Sequence, residues 1–190
     1  QIERIDFQNA TYTALVYFKR FYLKQSILDT EMNPQHVVLA AILLAGKAEE
    51  FQGVAEVPLG WLCETCNVPE KCVLDTEFKL LEQIGFKVLI FHGFRSIDSL
   101  LNELMQTIKW ASFGSGSSRY KELRDPSFRS ILKEKPNVDS FLRRRSHELL
   151  RLCYYTDAVL IFSPGLLAIS CIMVAVQRPG YAADMPDHSD

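Results

Sequence analysis

The sequence has little net charge, no long apolar run and few cysteines, and each shortage excludes a class of protein. Its 21 Lys and Arg residues nearly balance 23 Asp and Glu residues, which leaves a net charge of −2. No overall field therefore attracts nucleic acid or an anionic membrane. The longest apolar runs, 37–46 and 166–176, reach about half of the roughly 20 residues that a bilayer crossing needs. We expect no membrane partner, and other partners must be sought at local patches.

The cysteines do not form a recognisable disulfide or metal pattern. They number five and are scattered, at positions 63, 66, 72, 153 and 171. An odd number, in a chain without a signal-like start, favours reduced thiols in a cytosolic or nuclear protein. The segment "CETC" has half of a zinc motif, but no second C-x-x-C follows and His92 lies in another element. We expect no metal and interpret these cysteines as small helix-packing residues.

Motifs for catalysis and phosphate binding are also missing. The segment "FGSGSSR", 113–119, lacks the Gly-Lys-Ser/Thr ending and the preceding strand of a P-loop. His147 stands beside Glu148, but the sequence offers no nucleophile in a recognisable arrangement with them. Nothing in the sequence therefore supports an enzyme or a cofactor.

Helical periodicity dominates what is present, and 48% hydrophobic content is ample for a packed core. No pair of long alternating segments indicates a sheet, so the fold class is all-α. In the first predicted helix, Lys19, Arg20 and Lys24 fall largely off the apolar stripe. Gly85 is the expected end of the fourth helix, and Ser96 is a candidate N-terminal cap of the fifth. The predicted helices are about 10–26, about 34–49, a short helix or turn within 57–66, 69–84, 96–111, one from 139 or 140, and one from 164. Residues 112–138, rich in Ser, Gly, Pro and charge, read as a long surface loop.

Two of these helices are apolar all round, and for the first of them, from Pro34, this indicates neighbours on every side, as in a central helix. They begin at Asn33-Pro34 and at Ser163-Pro164, where a cap residue precedes proline in the first turn. A shift of 130 residues superposes the two starts, and each helix follows an amphipathic one. The matched spacing favours two copies of one helical module over a chance agreement between helical segments.

Three segments carry a resemblance to a known family: "YFKRFYL" at 17–23, "GKAEEF" at 46–51 and "TDAVLIFSPGLLA" at 156–168. Together with the rest of the chain they resemble the cyclin family, and within it the transcription-type cyclins of the cyclin H group, with the cyclin C group next. The resemblance implies a cyclin fold of two tandem helical boxes, the first over 1–92 from its second helix and the second, partial, over 93–190. It implies truncation at both ends, because the first helix of box one and the last helices of box two are missing.

The resemblance also implies a function. The chain would be a non-catalytic, nuclear regulatory subunit that binds the αC helix region of a cyclin-dependent kinase and activates it, in transcription and in activation of other cyclin-dependent kinases. Further partners would be a third, assembly-factor subunit and the general transcription factor TFIIH. A cyclin C-like subunit of the Mediator kinase module is the alternative within the family. A nucleic-acid-binding factor of the TFIIB type is the alternative outside this function.

The same resemblance assigns the kinase-binding residues. Lys47 and Glu77 would approach each other and together hold a backbone segment of the kinase, since an ammonium supplies donors and a carboxylate acceptors. Contacts around this pair would come from Ala48, Glu50, Phe51 and Phe86. From the residues alone, the charged cluster after Gly46 also reads as a solvated helix end and Phe86 also reads as a core residue. Glu49 is interpreted as solvated.

One basic cluster bears on the nucleic-acid alternative. "RRRSHELLR" carries four arginines on and beside one helix face, at positions 143, 144, 145 and 151. Such a face can contact phosphates. Its acidic neighbours Asp139 and Glu148, in a net acidic chain, favour a solvated face or a protein contact instead, so we expect no direct binding to nucleic acid.

Overall fold

The computed structural model describes residues 7–28, 32–49, 59–112 and 138–177, and over these ranges the only regular secondary structure is helical. The prediction of an all-α fold is confirmed. The chain divides into two compact units, Gln1–Phe91 and His92–Asp190. Within the described parts, no helix is both long and apolar enough for a membrane span.

The first unit is built around one apolar helix. Its elements are α1 (Phe7–Tyr22), α2 (Pro34–Ala48), α3 (Leu59–Cys66) and α4 (Glu70–Gln83). Helix α2 packs against the other three, and its buried residues are Val37, Leu39, Ala40, Ala41, Leu43, Leu44, Ala45 and Gly46. The predicted central helix is therefore confirmed in this unit.

The start of α2 follows from its sequence. The Asn33 side chain accepts a hydrogen bond from the Gln35 amide at 2.9 Å, and Pro34 stands in the first turn, where no intrahelical partner for an N–H exists. Helix α1 supplies the large core residues Tyr17 and Phe21, both essentially inaccessible. The cap and the apolar run together fix where α2 begins and what it must pack against.

Helix α4 ends in a left-handed turn. Gly85 has φ +66° and Phe86 has φ +57°. The Phe86 amide donates to the Leu81 carbonyl at 2.9 Å and the Gly85 amide to the Glu82 carbonyl at 3.0 Å, so carbonyls of the last turn are satisfied. The predicted stop at Gly85 is confirmed. The left-handed backbone of Phe86, which follows Gly85, was not predicted.

The second unit contains α5 (Phe94–Ser112), α6 (Val138–Tyr154), the short α7 (Ala158–Ile161) and α8 (Pro164–Gln177). Helix α8 packs against α5, α6 and α7. The loop predicted over 112–138 lies outside the described residues, except for the helix ends at Ser112 and Val138.

One prediction for this unit, the cap at Ser96, is wrong. Helix α5 begins at Phe94, so Ser96 lies inside it; the Ile97 amide already bonds to the Gly93 carbonyl at 3.0 Å. Helix α8 is not enclosed by the described residues, although its composition matches that of α2. Its buried residues are Leu167, Ala168, Cys171 and Ala175, and its exposed apolar residues are Leu166, Ile169, Met173, Val174 and Val176.

Close packing at the start of α5 yields a test of the fold. A methyl group added at Gly93 would lie 2.9 Å from the Pro164 carbonyl oxygen and 3.2 Å from a Leu150 methyl, whereas one at Gly165 would meet nothing within 4 Å. We expect Gly93→Ala to lower the free energy of unfolding by about 1–3 kcal/mol, because backbone cannot move aside as a side chain can. Urea unfolding measures this change.

The matched control is Gly165→Ala, in the first turn of α8. We expect it to be neutral or stabilising by at most about 1 kcal/mol, since alanine is the better helix former. Equal effects of the two substitutions would contradict the packing described for Gly93.

Candidate functional site

Lys47 and Glu77 form an ion pair between the last turn of α2 and the middle of α4. The Lys47 ammonium nitrogen lies 2.7 Å from one carboxylate oxygen of Glu77 and 2.8 Å from the other. The Lys47 side chain is 56% exposed and that of Glu77 only 10%. The structure therefore brings together two residues that are thirty positions apart. Glu77 is the buried member of the pair and Lys47 the exposed one.

This pair can bind a peptide group. An ammonium has three N–H donors and a carboxylate several acceptor positions, so one donor and several acceptor positions remain after the two bonds between them. Fully exposed ion pairs contribute about 0–1 kcal/mol to stability, but in this pair only the Lys47 side chain is exposed and that of Glu77 is largely buried. Once a partner covers it, each charge depends on the other, because removal of one leaves its neighbour desolvated and unpaired.

Apolar side chains are exposed on the elements that carry the pair. Phe86, immediately after the α4 stop, is 63% exposed, so its interpretation as a core residue is wrong. Leu74 and Phe78, one helical turn apart on α4, are also exposed, and the sequence analysis did not single them out. Ala48 is half-buried against the core of the first unit. Glu50 and Phe51 lie outside the described residues.

Glu49 is not a solvated residue, contrary to the sequence interpretation. Its carboxylate accepts a hydrogen bond at 2.5 Å from the hydroxyl of Thr13, and Thr13 is completely buried on α1. A buried hydroxyl needs a partner, and Glu49 at the end of α2 supplies it. The only sequence signal was a threonine within the apolar stripe of α1.

Further polar groups of α1, and Lys24 just beyond its end, bind the end of α4 and the segment after it. The Tyr17 hydroxyl donates to the Val88 carbonyl, the Arg20 guanidinium donates to the Lys87 carbonyl at 3.3 Å, and the Lys24 ammonium donates to the Gln83 carbonyl at 2.5 Å. We call Thr13, Tyr17, Arg20 and Lys24 the α1 ladder, because they follow one another at helical spacing. Sequence analysis placed the last two off the apolar stripe without a partner.

Burial raises the pKa of Tyr17 to about 12, with a further contribution from the Glu49 carboxylate and an opposing one from Arg20. The neutral phenol is thus favoured in the folded state. The hydroxyl keeps its proton, and its bond to Val88, at any physiological pH.

This raised pKa predicts a loss of stability in alkali. Since the unfolded phenol has a pKa near 10, the stabilisation is complete below about pH 10 and is lost as the pH rises from about 10 towards 12. We expect the free energy of unfolding of the wild type to approach that of Tyr17→Phe over this window. Urea unfolding of both proteins between about pH 8 and pH 11 measures the difference, and parallel curves would contradict the assignment.

Three of the four arginines of α6 are paired with acids. Arg143 bonds to Asp98 at 2.6 Å and to Asp139 at 3.2 Å, and the hydrogen bond to Asp98 raises its pKa further. Arg144 and Arg145 both pair with Glu148, at 3.1 and 3.2 Å. Arg151 also has a polar contact. The cluster is therefore locally compensated, which weakens the nucleic-acid interpretation.

The cysteines show no metal centre in the described ranges, where no group of three or more His, Cys, Asp or Glu side chains is arranged to hold an ion. All five are free thiols. Burial raises the pKa of Cys63, within "CETC". A buried thiol with a raised pKa is a packing residue and a poor ligand.

Sequence comparison identifies relatives of the chain. Residues 3–89 match the family model "Cyclin, N-terminal domain". The chain is 28% identical to Cyclin-H of Xenopus laevis over 88% of its own length and 45% of the relative's. It is 27% identical to Cyclin-C of Caenorhabditis elegans over 94% of its own length and 56% of the relative's. The chain thus spans about half the length of the curated relatives that it matches.

Solved structures share the fold. A chain in the CAK complex of Chaetomium thermophilum bound to ATP-gamma-S matches with a TM-score of 0.66 and 24% identity, over 89% of this chain and 45% of that one. A chain in the yeast TFIIK (Kin28/Ccl1/Tfb3) complex matches with a TM-score of 0.58 and 20% identity, over 87% and 61%. Together with the sequence relatives, these likenesses confirm the predicted cyclin fold.

Proposed function

We propose that this chain, a member of the cyclin family through its N-terminal domain at residues 3–89, is a regulatory subunit that binds and activates a cyclin-dependent protein kinase. The observation that carries the proposal is the Lys47–Glu77 pair, at 2.7 Å between helices α2 and α4. A half-exposed lysine over a buried glutamate, with the exposed Phe86 on the segment that follows α4, supports a surface that accepts another protein's backbone.

The proposed mechanism is a bias on a two-state element of the kinase. Lys47 and Glu77 hold a backbone segment near the kinase αC helix, and Ala48, Glu50, Phe51 and Phe86 provide the surrounding contacts. Docking favours the inward position of αC, so the kinase forms its own Lys–Glu ion pair and positions the phosphates of ATP. This chain takes no part in the chemistry, and catalysis belongs to the kinase.

The proposed setting is transcription, in the nucleus. Cyclin-H and Cyclin-C relatives and the fold shared with chains of the CAK and TFIIK complexes support a cyclin H-like role in a CDK-activating kinase that joins TFIIH. The name of the yeast complex lists three subunits, which supports a third, assembly-factor partner here. Cyclin-C relatives match over a larger share of both chains, so the Mediator kinase module stays the second candidate. Native co-purification with peptide mass identification distinguishes the two, because their companions differ.

A charge swap tests the docking pair. In Lys47→Glu/Glu77→Lys the two opposite charges still meet between α2 and α4. The ammonium donor now lies on α4 and the carboxylate acceptor on α2, so a partner that fits the original arrangement no longer fits. We expect the swap to keep most of the folding stability and to weaken binding to recombinant cyclin-dependent kinases by at least about 30-fold, in line with the 2 kcal/mol or more for a covered charge pair. Pull-down with titration measures binding, and circular dichroism monitors the fold.

The single variants Lys47→Ala and Glu77→Ala also lose binding in this proposal. The control is an equivalent swap on α6, Arg144→Glu/Glu148→Arg, which we expect to leave kinase affinity unchanged. Wild-type binding by both alanine variants would overturn the role of the pair.

The nucleic-acid alternative predicts that the chain binds DNA, whereas the proposed kinase-binding function does not require it. Because three of the α6 arginines are already paired with acids, we expect no binding to random duplex DNA tighter than about 100 µM at 150 mM salt. Fluorescence anisotropy at several salt concentrations measures this. Tighter binding with a steep salt dependence, lost in Arg144→Ala, would favour the TFIIB-type function instead.

A further inference from the structure

Phe86 is held in a conformation that phenylalanine disfavours. Its φ of +57° follows that of +66° at Gly85. Glycine adopts the left-handed region freely, whereas for a residue with a Cβ the contact between that Cβ and the following carbonyl oxygen disfavours it. The side chain of Phe86 is 63% exposed, so packing of the ring in this structure does not offset that cost. Other contacts must hold the turn.

Backbone bonds account for only part of the restraint. The Phe86 amide donates to the Leu81 carbonyl at 2.9 Å, which closes the end of α4, and the Val88 amide donates to the Phe86 carbonyl at 3.1 Å. These bonds are local and on an exposed segment. They do not connect the turn to the rest of the first unit.

The connection comes from the α1 ladder. Tyr17 donates to the carbonyl of Val88 and Arg20 to that of Lys87, so two successive peptide groups after Phe86 are held by one helix. Tyr17 is completely buried, whereas the Arg20 bond lies at the surface. The bond to Val88 is partly buried, so water replaces it less readily than the surface bond of Arg20, and its loss costs more free energy. Tyr17 is therefore the principal tether.

The same helix also holds the other side of the surface. Thr13, one turn before Tyr17, binds the carboxylate of Glu49, two residues after Lys47. Two neighbouring hydroxyls of α1 thus fix the end of the helix that carries Lys47 and the segment that carries Phe86.

We propose that Tyr17 is a positioning residue for partner docking: through its bond to Val88 it holds the left-handed turn that presents the exposed ring of Phe86 just after α4, the helix that carries Glu77. This inference rests on the proposed kinase-binding function and adds to it a buried residue that never contacts the partner. It accounts for a strained, exposed aromatic that the fold alone does not require.

A double-mutant cycle tests the proposal. Tyr17→Phe removes the hydroxyl and keeps the buried ring. We expect it to weaken binding to the recombinant kinase by about tenfold, because the Val88 carbonyl loses its donor and the turn its tether. In a Phe86→Ala background the same substitution should change affinity by less than twofold, because there is no ring left to position.

Tyr22→Phe is the matched control. Tyr22 lies on the same helix, and its hydroxyl is buried without a hydrogen-bond partner among the described residues. Removal of that hydroxyl should change neither kinase affinity nor the exchange of backbone amides at residues 86–88. Tyr17→Phe should increase that exchange in the free protein, which a general loss of stability would not do selectively.

Gly85→Ala provides a second variant that leaves the core intact. The added methyl has no neighbour within 4 Å, and only the left-handed φ is strained. We expect a loss of affinity that again disappears in the Phe86→Ala background. Additive effects of Tyr17→Phe and Phe86→Ala, or full affinity in Tyr17→Phe, would overturn the proposal. Normal binding by the Lys47–Glu77 swap would instead overturn the proposed function, so the two failures are distinguishable.

Discussion

The first unit depends on the burial of most of helix α2. Burial of a Leu or Val side chain stabilises the fold by about 1.5–3 kcal/mol, and α2 contributes several such residues between Val37 and Leu44. A helix without a polar face has no orientation in which it can lie at a surface, so α1, α3 and α4 must surround it. The positions of Lys47 on α2 and Glu77 on α4 follow from this packing.

The polar end of that helix shows how the requirement creates a functional surface. Once α4 packs beside α2, Glu77 lies in a largely buried position, and a buried carboxylate needs a partner. Lys47 meets this need from the last turn of α2, while its own side chain stays half-exposed. Glu49 is bound in turn by Thr13. Two residues after Gly46 therefore make contacts inside the unit, Lys47 with Glu77 and Glu49 with Thr13. The Lys47 side chain nevertheless stays half-exposed.

Some features were predictable because local sequence determines them. The start of α2 at Asn33-Pro34, its apolar character and the stop at Gly85 are all set by residues within one helical turn. Lys47 and Glu77 were predicted through family resemblance, since thirty residues separate them and no local rule connects them. The exposed apolar residues of α8 could not be foreseen from composition, because composition states which residues can be buried and not which neighbours are present.

The sequence by itself determined the helical class, the central helix and the composition of its charged end, because periodicity and caps act over a few residues. Only the tertiary structure decided that Tyr17 reaches Val88, that Thr13 binds Glu49 and that Phe86 lies exposed with a left-handed backbone. These contacts join residues 36 to 71 positions apart. Their geometry follows from how α1, α2 and α4 pack, and a hydrogen bond exists only where packing brings donor and acceptor within about 3 Å.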